Sequence, residues 1–196
     1  YGPKFKSEMS DYSLARAKAL LDMYGYVDKD GDGWRDLPDG KPLLLEYSTQ
    51  PSAADRELNE VWKKSMTAVG IQIVFKTAKW PENLKSARAG KVMMWGLGNS
   101  ASTPDGGSFL VFGYGPQKYE GNLSGFQNDA YDALYRQQVV MADGPERLAI
   151  MQKMVKILVA YMPYKFNTHR IRTDVMQPWL VGYRRHPTSR AFWRYV

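Results

Sequence analysis

Residues 42–77 read "PLLLEYSTQPSAADRELNEVWKKSMTAVGIQIVFKT". The run from Leu43 to Thr49 is apolar and then hydroxyl-bearing, the composition of a strand that ends at a turn. Ser52 is placed to cap a helix, because its hydroxyl reaches the free amides of a first turn. Along that helix Leu58, Trp62, Met66 and Val69 fall on one face. Gly70 ends it, and Ile71, Ile73 and Phe75 alternate through a second strand. A strand, a full helix and another strand form the unit that joins parallel neighbours, so the stretch predicts an α/β layer.

The flanks extend this pattern. Upstream, "SDYSLARAKALLDMYGY" (10–26) predicts a helix capped by Ser10 or Asp11, with Leu14, Ala17, Leu20 and Leu21 as its stripe and Gly25 as its stop. Downstream, "WPENLKSARAG" (80–90) predicts a short helix with Pro81 in its first turn. The apolar "VMMWGL" (92–97) suits a strand covered on both faces. Residues 98–127, dense in Gly, Ser, Pro and aromatics, predict a long loop. Two helices follow in "NDAYDALYRQQVVM" and "GPERLAIMQKMVKILVAYM", the second with Leu148, Met151, Val155 and Leu158 as its apolar face. The methionines Met151 and Met154 sit at core spacing, and Asp129 and Asp132 place charge in a first turn. "PYKFNTHRIRTDVMQPW" predicts extended chain. No repeat or low-complexity linker divides the 196 residues, which are read as a single lobe.

Composition excludes several classes. There are 27 basic and 20 acidic side chains, a net charge of +7, but the basic residues are scattered and no nucleic-acid reader motif accompanies them. Nucleic acid is therefore not an expected partner. With no cysteine there is no disulfide, thiolate metal site or cysteine nucleophile. No apolar run approaches the ~20 residues that cross a bilayer. "YGPKFKSEMS" does not read as a signal peptide, so an export signal is expected upstream in an exported parent. His169 and His186 stand outside any triad or zinc-ligand grouping. Thirteen tyrosines and six tryptophans supply apolar faces with polar tips, suited to cores and to ligand clefts alike.

"DKDGDGWRDLPDG" (28–40) fits much of a calcium-loop template. Asp28, Asp30 and Asp32 take the first, third and fifth positions, Gly33 the turn, Trp34 a carbonyl position and Asp36 the ninth. Asp39 ends the template where a longer glutamate is usual, and a strand follows where a second helix would stand. Two readings stay open: a structural Ca²⁺ that braces a helix-to-strand connection, or a solvated Asx-rich turn. A calcium-dependent structural or adhesion module built on this loop is the rival function. A hydrolase using Asp105 with Glu120 is a weaker one, since nothing marks a substrate-activating group.

The order of these motifs resembles the C-terminal lobe of the family 5 extracellular solute-binding proteins, the peptide- and nickel-type receptors of bacterial ABC importers. The resemblance runs through "SLARAKALLDMYGY", "PLLLEYST", "RELNEVWKKSMTAVGIQIVFKT", "MMWGLGNSASTPDGGSFL", "GNLSGFQNDAYDALYRQ" and "ERLAIMQKMVKILVAYMPY". It implies a layered α/β lobe of a type II (cluster C) binding protein, a mixed sheet flanked by helices, and a fragment of a longer two-lobed clamp. It implies no enzyme activity, no cofactor beyond the possible calcium, capture of oligopeptides or a related small solute, and an inner-membrane ABC permease as partner. A monomer in the periplasm, or lipid-anchored outside a Gram-positive parent, is expected. Residues 181–196 are expected to return towards the missing N-terminal lobe.

The resemblance places Asp105 in an aspartate-proline-type turn at the ligand cleft, although "TPDGGSF" lacks the acidic residue that usually precedes it. It matches Asn122 and Phe126 to the cleft segment and Trp95 to the strand that enters it. Chemistry adds Tyr114, Tyr119 and Phe126 as stacking walls, with glycines that admit a ligand close to the backbone. The same aromatics would serve equally to pack the loop onto its own domain.

Overall fold

Three parallel strands organise the first half of the chain. β1 (Leu44–Thr49) lies between β2 (Gln72–Thr77) and β3 (Met94–Trp95), in the order β2-β1-β3. Leu44 pairs with Gln72 and Thr49 with Thr77, while Tyr47 and Ser48 pair with Met94 and Trp95. Around the sheet run α1 (Leu14–Met23), α2 (Ala53–Thr67) and α3 (Trp80–Arg88). The computed structural model describes residues 11–103, 105–165 and 173–183. The chain divides into two compact units, Tyr1–Leu97 and Gly98–Val196.

The α/β class stands. All strand pairings among the described residues are parallel, so the expected mixed sheet reduces to a parallel one here, and the antiparallel pairing is an isolated bridge between Asp36 and Pro42. Ser52 caps α2 as expected, accepting from the Asp55 amide at 3.0 Å. On the face towards α2, the Tyr47 ring meets Phe75 and Trp62, each with centroids 5.9 Å away. Val69, Ile71 and Ile73 are buried where α2 turns into β2. Gly70 makes that turn in the left-handed region (φ +78°), where a side chain is disfavoured. Arg35 braces the same corner: Nε donates to Val69 O at 2.7 Å and Nη1 reaches Asp22 at 2.5 Å and the Tyr26 carbonyl.

Three expectations are corrected here. α1 is capped by Ser13, which accepts from Arg16 N, because the helix begins one turn later than the Ser10 or Asp11 start. Its stripe is not buried, and Leu14 and Leu20 are exposed, as is Leu58 of α2. The covered strand expected over residues 92–97 shrinks to Met94–Trp95, with Met93 and Leu97 exposed. Its pairing with β1 alone makes it an edge, and Gly96 lies so close to Tyr47 that an added Cβ would sit 2.2 Å from the hydroxyl.

The second unit is helical. Two short 3-10 helices, Gly107–Gly113 and Gly115–Gln117, give order to the stretch expected as loop. α4 (Asp129–Val139) and α5 (Pro145–Tyr161) follow, and the core joins Leu110, Tyr131, Ile150, Met151, Met154 and Leu158. Met151 and Met154 are core residues as their spacing suggests. The buried stripe of α5 is rotated from the expected one, since Leu148 is exposed and Ile150 is buried. Both histidines, and the segment after Tyr183 expected to return towards another lobe, lie outside the described residues.

Candidate functional site

The loop of the second unit is built around Asn122, which has no exposed surface. Its Nδ2 donates to the Tyr114 and Phe126 carbonyls at 3.2 and 2.8 Å, and its Oδ1 accepts from the Ser124 hydroxyl at 2.8 Å. An amide side chain has two donors and a carbonyl acceptor, so all its functions are used inside the loop. Asn122 thus organises the segment that carries the candidate aromatics. The Tyr119 amide donates to Asn122 O at 2.7 Å, and Tyr119 takes a left-handed conformation (φ 65°). Gly125, itself at φ +69°, lets the Tyr119 ring close over it, since an added Cβ would lie 3.0 Å from that ring.

The aromatics of this loop face partners of their own unit. Tyr114 stacks on Tyr135 of α4 with centroids 4.1 Å apart. Burial raises the Tyr135 hydroxyl pKa, with the Tyr114 hydroxyl adding to the effect. Phe126 meets Tyr131 edge-on at 6.2 Å and Tyr161 at 5.6 Å. Tyr114 and Phe126 are nonetheless half-buried, each with part of its surface open. Beneath them, the buried Tyr131 donates to Leu110 O at 2.6 Å. Gly113 permits this packing, because a Cβ there would come within 2.6 Å of the Tyr131 ring. Asp132 does more than charge a helix start: it accepts from the Gly115 amide at 2.8 Å.

Asp105 is also engaged from within. Its carboxylate accepts from Gly107 N at 3.0 Å and pairs with Arg147. The Thr103 hydroxyl and then the Arg147 guanidinium hold its pKa down at about 2. The carboxylate that the hydrolase reading would pair with Glu120 is thus ionised near neutral pH and engaged by Arg147 and Gly107. Arg147 and Tyr135 escape a reading of the sequence, because Arg147 stands forty-two positions from Asp105 and no local pattern links them.

Trp95 belongs to the first unit. It closes β3 beside Ser48, with the Trp80 ring 6.5 Å away. Its indole Nε1 is buried, with no hydrogen-bond partner among the described residues.

In the acidic loop, carboxylate oxygens of Asp28, Asp30 and Asp36 lie within 4.8 Å of one another. Asp28 accepts from Gly31 N and Gly33 N at 2.7 and 2.9 Å, and buried Asp36 from Lys29 N at 2.9 Å. Of the other expected carboxylates, Asp32 and Asp39 are not in this group. Asp32 accepts from the Trp34 amide at 2.8 Å, and Asp39 is paired with Lys41 at 2.6 Å. That Lys41 bond lowers the Asp39 pKa.

The family model for bacterial extracellular solute-binding proteins, family 5 (middle), matches residues 1–121. Among curated proteins the chain is 26% identical over 184 residues to the di/tripeptide-binding protein 2 of Pseudomonas aeruginosa, covering 91% of this chain and 32% of that protein. It is 27% identical over 178 residues to the probable deoxycholate-binding periplasmic protein YgiS of Escherichia coli, covering 88% and 30%. The chain thus spans about a third of the length of the curated relatives it matches. In fold it is similar to the oligopeptide-binding protein AppA of Bacillus subtilis, solved with a nonapeptide. That match has a TM-score of 0.72 at 21% identity, over 84% of this chain and 33% of that one. With the family model matching most of its length, the chain belongs to the bacterial extracellular solute-binding proteins, family 5.

Proposed function

We propose that this chain is part of the periplasmic receptor of an ABC importer, which binds peptides without chemical change and presents them to an inner-membrane permease. The observation that carries this reading is the unbroken family match over residues 1–121, which runs through the sheet and into the loop built on Asn122. The relatives named for di/tripeptides and solved with a nonapeptide favour peptides as the solute. The 196 residues act as a single ligand-binding lobe of a larger clamp, as a monomer. In the second unit the contacts to ligand come from the open faces of Tyr114 and Phe126 and from the backbone ordered by Asn122, with Asp105 at the edge of the same loop. In the first unit the contribution is from Trp95.

Calorimetric titration of the chain with trialanine, a nonapeptide and deoxycholate tests the reading. Heat on adding either peptide is the expected result. Heat with deoxycholate alone moves the chain to a different solute class, and heat with none of the three contradicts receptor function.

Calcium at the acidic loop is proposed only as a brace. Three converging carboxylates are half the expected ligand set, and Ca²⁺ takes about 6–8 oxygens. A bound ion would join Asp28 and Asp30 to Asp36, which the Lys29 amide already ties back.

A further inference from the structure

The turn that carries Asp105 is held from far along the chain. Arg147 stands in the first turn of α5, and its guanidinium reaches three places. Nε and Nη2 donate to the main-chain and side-chain oxygens of Gln138, at the end of α4, both at 3.1 Å. Nη1 donates to Asp143 at 2.7 Å and to Asp105. Gln138 is buried, and the Arg147 side chain is only 15% exposed. Gly107 leaves the room for this, since a Cβ there would lie 2.9 Å from Nη2 and 3.2 Å from the Asp105 carboxylate. A planar fork with several fixed donors is the group that can serve three acceptors at once; a lysine cannot.

We infer that Arg147 is the positioning residue of the ligand loop. It fixes Asp105, and through it the Gly107 amide, to the corner between α4 and α5 and keeps Asp105 as an internal counter-ion. A ligand's ammonium group is therefore not received by that carboxylate, and selection among peptides falls to the aromatic faces and backbone of the loop. The inference rests on the loop's proposed binding role. The depressed Asp105 pKa agrees with it, and Thr103, Arg147 and Asp143 are the groups that set the local charge.

The test follows the Asp105 carboxyl by NMR, from about pH 7 to about pH 2, in the wild-type chain, Arg147→Lys and Arg147→Met. Asp105 is expected to stay ionised down to about 2 in the wild type. In Arg147→Met its pKa should rise towards the ordinary ~3.9 without reaching it, because the Thr103 and Gly107 bonds remain, with Arg147→Lys between the two. Hydrogen exchange at the Gly107 amide should be at least about ten-fold faster in Arg147→Met. Ordinary titration in the wild type, or an unchanged Asp105 in Arg147→Met, overturns the inference. If Arg147→Met does not fold, Asp105→Asn replaces it: faster exchange at Gly107 with Met154 and Leu158 unchanged supports the proposal, and unchanged Gly107 sinks it.

A ligand arm compares trialanine with N-acetyl-trialanine on wild type and Asp105→Asn. Any change in affinity should be the same for both peptides, within about two-fold of each other, and a ten-fold or so loss confined to trialanine would refute the counter-ion role. If neither peptide binds the wild-type chain, the receptor reading fails, while titration and exchange still decide the role of Arg147.

Discussion

The two loops of the molecule are tied down in opposite ways. The acidic loop closes largely on itself: Asp28 reaches Gly31 and Gly33, Asp30 reaches Asp32, and Asp36 reaches back to Lys29, while Arg35 fastens it to Asp22, Val69 and Gly70. The loop after Gly98 is stitched to distant helices. Asp105 meets Arg147, Gly115 meets Asp132, the Ser124 amide donates to the Tyr164 hydroxyl, and Tyr131 holds the Leu110 carbonyl. A loop of the first kind takes most of its shape from its own residues, so a change in it is felt mainly locally. One of the second kind is shaped by the core beneath it, so its surface is as precise as that core. That difference favours the second loop as a place to present ligand contacts, because preorganised groups lose less entropy on binding.

The contrast breaks first at Tyr131. Tyr131→Ala empties a fully buried site and removes the hydroxyl donor to Leu110 O, so a loss of about 3–5 kcal/mol is expected in urea unfolding. A loss below about 1 kcal/mol would mean the loop does not depend on this core. Next comes Asn122→Ala, which removes the side-chain donor to the Tyr114 and Phe126 carbonyls and should cost about 1–3 kcal/mol. Faster amide exchange at residues 114–126 should accompany it, and unchanged exchange there would remove Asn122 from its organising role.

Acid sharpens the comparison further. Asp105 has a folded pKa of about 2 against the ordinary 3.8, so its contribution is complete above the unfolded value and fades as pH falls from there towards 2. Asp105→Asn should flatten that part of a stability–pH curve, and a parallel curve would contradict the pairing. In the acidic loop the effects are smaller. Asp28→Ala removes two amide bonds from an exposed turn and should cost about 1 kcal/mol, with no change in exchange at residues 107–126. Smallest is calcium: about 1 mM added to chelator-stripped chain should contribute roughly 0.4 kcal/mol, as for an extracellular-type site with a Kd of ~1 mM. No shift in melting at all would leave the loop as an Asx-rich turn.

Much of the first unit can be read in its sequence, because the signals there are local. The Ser52 cap, the Gly70 stop and the alternation of Ile71 and Ile73 each act within a few residues, and each appears in the fold. What fails is burial at the edges of the pattern. Leu14, Leu20 and Leu58 have helical spacing but remain exposed, since periodicity says which face is apolar and not whether a layer covers it. "VMMWGL" misleads similarly: its composition promises a central strand, while pairing with β1 alone leaves an edge. In the second unit the 3-10 helices are hidden by glycine-rich composition that suggests irregular chain. The role of Asn122 shows only once Tyr114, Ser124 and Phe126 surround it, and the Asp105–Arg147 pair spans forty-two positions.

The most direct measurement maps amide chemical shifts of the chain on adding millimolar trialanine. Changes should centre on Tyr114, Asn122 and Phe126, with a separate change at Trp95 and residues 28–39 unmoved. No change anywhere, or changes confined to residues 28–39, would contradict a peptide receptor that binds through the Asn122 loop.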